Sequence, residues 1–227
     1  HYASPRGSQA ADITVTLTDV QARDLATQSA ALNWLSAIDA PLSAQLDTSL
    51  GPAGQLGPLR VALEMGRGTL RPKGGAQPLA FDGITTRLIY APDDAKMTFQ
   101  EIDIKSEWGS LTGAGQALLR DVQDGLPKAL IGQFTFADIA LNPMGLYPEA
   151  LPITDAAIDV RLRLDPFQIE IGQAVLSSDS FRVNSNGVIS ATPAGWDVAV
   201  ATALDQIRCA ATRAVWPATF NPLTRAW

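Results

Sequence analysis

A pattern that returns after 72 positions constrains this chain more than any other feature. Sliding the sequence by that interval sets Met97, Phe99, Ile104, Ser106, Glu107, Leu111 and Gly115 on Ile169, Ile171, Leu176, Ser178, Asp179, Val183 and Gly187. The match reaches back to Leu88, Tyr90 and Asp93, which fall on Val160, Leu162 and Asp165. A shorter form, apolar-Thr-apolar-x-acid-apolar, occurs at Val15–Val20, Met97–Ile102 and Phe134–Ile139. Apolar phase, turn residues and acids that recur together describe similar units stacked in a row, not one globule wound about a centre.

The period inside each unit is two, which is the signature of a strand with one buried face. Met97 and Phe99 alternate with polar neighbours, the phase slips at Gln100-Glu101, and Ile102 and Ile104 resume it. Such a slip predicts a β-bulge that keeps both halves turned to one side. A second slip lies between Phe136 and Ile139, in a strand expected over Leu130–Leu141. Further strands are expected at Ile13–Leu17, Leu42–Leu50, Leu59–Met65, Leu79–Phe81, Ile84–Tyr90, Ala156–Leu164, Gln168–Leu176, Phe181–Ser190 and Trp196–Leu204. Helical spacing of Leu32, Leu35 and Ile38 predicts a short helix from a Ser29 cap to Asp39, stopped by Pro41. A helical turn is expected from Ile207 towards Val215. Asp121–Lys128 reads as a loop, and Asn142–Pro152, with three prolines, as a crossing connection.

The expected fold is therefore all-β with one or two short helices: an elongated, repetitive antiparallel β-sheet curled into a groove or open half-barrel. Residues 1–11 read as a disordered lead or expression remnant. Three β units follow at 12–83, 84–153 and 154–227, forming one continuous β-groove domain.

Composition narrows the function. Apolar residues make up 46% and charged residues 18%, as in an ordered protein. Lys and Arg number 17 against 23 Asp and Glu, a net charge of −6 with the arginines scattered, so nucleic acid is not an expected partner. Cys209 is the only cysteine; it excludes an internal disulfide and reads as a small core residue. No apolar run reaches the roughly 20 residues that span a bilayer, and no secretory leader is present, so any anchor is expected outside these residues.

Most catalytic machinery is missing from the sequence. His1 is the only histidine, and there is no P-loop, dinucleotide fingerprint, nucleophile elbow or H-E-x-x-H motif. Paired carboxylates remain, since two of them can hydrolyse a glycoside. Asp19, Glu101 and Asp138 hold the same place in each copy of the short motif, however, as recurrent bulge or turn residues would. The expectation is a non-enzymatic protein with no cofactor and no metal.

A sheet with one apolar face must cover that face or use it. Closing it makes a β-sandwich that serves as a scaffold or interaction module of the cell envelope. Leaving it open makes a trough suited to acyl chains, which need length and apolar contact but little hydrogen bonding. Alternation predicts both. The repeated two-faced segments, IDAPLSA at Ile38–Ala44, SEWGSLTGAG at Ser106–Gly115 and VWPATFNPLTRAW at Val215–Trp227 resemble the AsmA-like family, the large bridge-like lipid transfer proteins of the Gram-negative envelope. The resemblance implies a periplasmic segment of an inner-membrane-anchored protein, a long β groove, and movement of phospholipid toward the outer membrane; it implies no catalytic residue. Ile102, Ile104, Val160, Leu162, Ile169 and Ile171 are the expected lining. The expected partners are phospholipid acyl chains, further segments of a longer chain, and other copies meeting at exposed strand edges.

Overall fold

A computed structural model describes residues 2–3, 10–28, 30–72, 77–123, 126–142 and 145–209. The strands are β1 (Tyr2–Ala3), β2 (Ala11–Gln21), β3 (Ile38–Asp39), β4 (Pro41–Leu50), β5 (Leu59–Met65), β6 (Gly68–Leu70), β7 (Leu79–Phe81) and β8 (Gly83–Ala91). They continue as β9 (Lys96–Ser106), β10 (Gly109–Gln123), β11 (Leu126–Leu141), β12 (Leu151–Leu164), β13 (Phe167–Ser177), β14 (Phe181–Thr192) and β15 (Gly195–Ile207). One sheet has the order β1-β2-β4-β5-β8-β9-β10-β11-β12-β13-β14-β15, with every pairing antiparallel. It is curled but not closed into a barrel. A small sheet of β3, β6 and β7 lies beside it, together with helix α1 (Ala22–Ala26) and a 3-10 segment, Ala30–Ala37.

The phase slips in the sequence are bulges. Arg87 faces Glu101 and Leu88 faces Phe99, which leaves Gln100 as the extra residue of β9. Asp159 faces Gln173 and Val160 faces Ile171, which leaves Gly172 extra in β13, 72 positions later. The sequence repeat is thus a repeat of strand shape. In β11, residues 138 and 139 oppose the single Leu111, and Asp138 takes a φ of 51°. In β2, Thr18 and Asp19 oppose Ser43; Asp19 has a φ of 52°, and its N–H donates to Ser43 Oγ at 3.1 Å. Asp is one of the few side chains that tolerate this left-handed conformation. Each bulge bends its strand and increases the local twist, which curls the sheet.

Several local expectations change. The helix expected over 29–39 is a 3-10 segment over Ala30–Ala37 that runs directly into β3, while Ser29 lies outside the described residues. The loop expected at Asp121–Lys128 is largely strand, because the β10–β11 ladder continues through Arg120↔Ala129, Val122↔Pro127 and Gln123↔Leu126. Pro127 fits there because the β11–β12 ladder begins only at Ala129, so its missing N–H has no partner to lose on that side. Pro152 is tolerated similarly: it pairs with Ala140 beyond Asp155↔Ser177, the last β12–β13 pair.

The connection between β11 and β12 is not the crossing one expected at Asn142–Pro152. The strands on either side, β11 and β12, are neighbours in the sheet, and the Asn142 side chain donates to Tyr147 O and accepts from Tyr147 N, both at 3.0 Å. Ile207 belongs to β15 and not to a helical turn; residues 210–215 of that expected turn and the motif at 215–227 lie outside the described residues. Cys209 is exposed, not a core residue, because it follows the end of the last described strand of the sheet.

Two apolar clusters hold the structure. One packs Ala22, Ala26, Leu35, Ile38 and Phe81 of the helical and small-sheet region against Leu42, Ala44 and Met65 of the large sheet. The other gathers Ile139, Ile153, Ala156 and Phe181 within β11, β12 and β14.

Candidate functional site

Residues directly opposed in an antiparallel ladder share a face, so register traces rows across the sheet. One row runs Thr86, Ile102, Gly113, Phe136, Ala156, Leu176. Another runs Tyr90, Met97, Ala117, Gly132, Val160, Ile171. A third runs Leu119, Leu130, Leu162, Ile169, Ile189, Val198. Ile104 lies on the same side, between Ile84 and Leu111. The six expected lining residues therefore share one face, and Val160–Ile171 and Leu162–Ile169 are direct cross-strand partners. All six are half-buried, and the bulges in β9 and β13 keep the face apolar past each phase slip.

The other face carries polar cross-strand pairs. Arg87 meets Glu101 at 3.1 Å, and Arg161 meets Glu170 at 3.5 Å. At such exposed positions these pairs contribute little stability, but they mark this side as the solvated one. An open depression of about 480 Å³ includes Lys96, Gln116, Gln133, Asp159, Arg161 and Glu170, so much of its lining belongs to that polar side.

The apolar face is covered at one end and uncovered at the other. Over β2, β4, β5 and β8, its residues Leu17, Leu46, Leu63 and Ile84 pack with Leu25, Leu32, Leu35 and Phe81 of the helical and small-sheet region, which acts as a cap. At the far edge, Val198, Val200 and Leu204 of β15 are 60%, 38% and 53% exposed. Trp196 at the start of β15 packs edge-on against Phe167 at 5.9 Å and donates from Nε1 to Gln77 O at 3.0 Å. Gln77 lies two residues before β7 of the cap, so this bond ties the start of the far strand to the cap's approach.

Between the two ends lies an aromatic floor that alternation alone did not single out. The Phe99 and Phe134 ring centroids are 5.5 Å apart, and those of Phe134 and Phe136 are 6.1 Å apart. A side chain at Gly113 would run into the Phe136 ring, and one at Gly115 or Gly132 into the Phe134 ring. The three glycines are what let the rings lie down on the sheet. A sequence signal existed: the sliding match already pointed at Gly115, and FTF at Phe134–Phe136 is a copy of the short motif.

Searches against family models, curated proteins and solved structures return no match. Among the described residues no group of three or more His, Cys, Asp or Glu side chains is placed to hold a metal. Asp19 and Asp138 serve the backbone at bulges, and Glu101 is paired with Arg87. Asp47, on the polar face, has its carboxyl held below the usual range by the hydrogen bonds of Thr14 (2.7 Å) and then Gln45 (2.9 Å). What the apolar face offers is extended contact without directional hydrogen bonding.

Proposed function

We propose that the chain is a non-enzymatic, AsmA-like periplasmic segment whose groove conducts phospholipid between the inner and outer membranes and so supports outer-membrane integrity. On this reading the segment is part of an inner-membrane-anchored protein. The observation that carries the proposal is the apolar face running from strand to strand across β9 to β15, beyond the reach of the cap. At about 4.8 Å per strand, those seven strands extend for roughly 30 Å. Each methylene of an acyl chain laid along them gains about 0.8 kcal/mol on leaving water. A lipid can thus be held firmly yet slide, because no single position fixes it. The cap argues for an end: lipid reaches the face from the β15 side, since the β2–β8 side is already filled.

The competing reading, a closed β-sandwich scaffold or interaction module of the envelope, draws on the same cap, which closes part of the face in two layers. Photo-crosslinking to lipid separates the two. Leu162→Asp and Ile171→Asp should abolish lipid crosslinking and the lipid that co-purifies in native mass spectrometry, while circular dichroism stays unchanged. Unfolding of both variants would make these positions core and favour the scaffold.

A further inference from the structure

Among the described residues the outer side of β15 is an unusually bare strand edge. Residues 197–206 are exposed throughout, and Gly195–Leu204 contains no Lys, Arg or Pro. Its bulge comes only at Asp205, where Arg182 faces Gln206 and Val183 faces Leu204. Natural edge strands are usually blunted by such residues or bulges, because unpaired N–H and C=O groups recruit another strand.

The internal repeat specifies what fits there. Gly115 faces Phe134 in the β10–β11 ladder, and Gly187, 72 positions later, faces Val200 in the β14–β15 ladder. Val200 therefore holds in β15 the place that Phe134 holds in β11. The far side of β11 is covered by β12, with Ile158 opposite Phe134, Val160 opposite Gly132 and Arg161 opposite Ile131. The same strand laid on β15 sets Ile158 against Val200, Val160 against Val198 and Arg161 against Asp197. Apolar residues then meet the two exposed valines, and a cation meets an anion.

A second copy of β15 fits less well. Antiparallel pairing centred on Val200 sets Asp197 against Ala203 and supplies no cation. Head-to-tail stacking is no better: the first strand of the sheet, β1, is only two residues long, and β2 beside it runs in the same direction as β15, so an extended antiparallel ladder between copies has no strand to form on.

We propose that the outer edge of β15 is a docking site for an extended peptide strand that runs antiparallel to it, apolar at alternate positions and cationic opposite Asp197. This holds whatever the apolar face carries, and so stands apart from the lipid reading. The probe is a dye-labelled synthetic peptide, LPITDAAIDVRLRL, the sequence of β12, titrated into the full chain and followed by fluorescence anisotropy.

Saturable binding is expected, with new hydrogen-exchange protection confined to β15. The exposed substitution Asp197→Lys should weaken binding about fivefold, and an R161E peptide should restore it, as expected for a cross-strand charge pair. A peptide carrying V160P should not bind. Absence of saturable binding, indifference to Asp197→Lys, or protection arising in β11 by strand exchange would overturn the proposal. So would binding seen only after truncation at Cys209, which would mean that residues 210–227 already occupy the edge.

Discussion

Replacing Phe134 by Ala tests the aromatic floor. In a full core, Phe→Ala costs about 3–5 kcal/mol. Phe134 is half-buried, so about half of that applies. Its two ring contacts, to Phe99 at 5.5 Å and Phe136 at 6.1 Å, add about 0.5 kcal/mol each beyond area burial. The sum is about 2.5–3.5 kcal/mol, which for a chain of this length lowers Tm by roughly 5–14 °C. Urea unfolding of the wild type, Phe134→Ala, Phe99→Ala and the double variant should give that loss, with a coupling of about 0.5–1.5 kcal/mol between the two rings. Co-purifying lipid should persist in Phe134→Ala, because the rows through Val160 and Leu162 remain. A loss below about 1 kcal/mol with no coupling would refute the packing of these rings on the glycines.

Other expectations follow from single positions. Asp138→Val should cost about 1–2 kcal/mol in urea unfolding, because a β-branched residue resists a φ of 51°, whereas Asp138→Gly should be neutral or slightly stabilising. Leu35→Ala, at a site 3% exposed, should cost about 2–5 kcal/mol and speed hydrogen exchange in α1 and β3, but leave β12–β14 protected, since the two apolar clusters are separate. Thr14→Val removes the strongest influence on Asp47, so its NMR-detected carboxyl titration should move up towards the ordinary 3.8. The folded-state value is depressed, so the stabilisation it brings is present above the unfolded value and is lost as pH falls through the folded one. Thr14→Val should flatten stability in that acidic window alone.

The resemblance of strand shape at 72-residue spacing was legible because a bulge leaves a mark in one dimension: the apolar phase slips by one residue, at Gln100 and again at Gly172. The common face of the six residues expected to line a groove was legible for the same reason, since period-two alternation fixes sidedness before any neighbour is known. The failures were of another kind. Pro127 and Pro152 looked like breaks, but a proline is harmful only where its N–H would have had a partner, and the ends of the neighbouring ladders decide that. Cys209 looked internal because its neighbours in sequence are apolar, yet it follows the end of the last described strand and is exposed.

Alone, the sequence determined that strands would alternate, where they would kink and which side of each would be greasy, because these depend on spacing along the chain. Only the tertiary structure decided that a helical and small-sheet cap fills one end of the face, that two phenylalanines lie across three glycines, and that β15 has no further strand beside it among the described residues. Those outcomes depend on which distant segments come to lie against each other, and alternation is the same whether a face is covered or open.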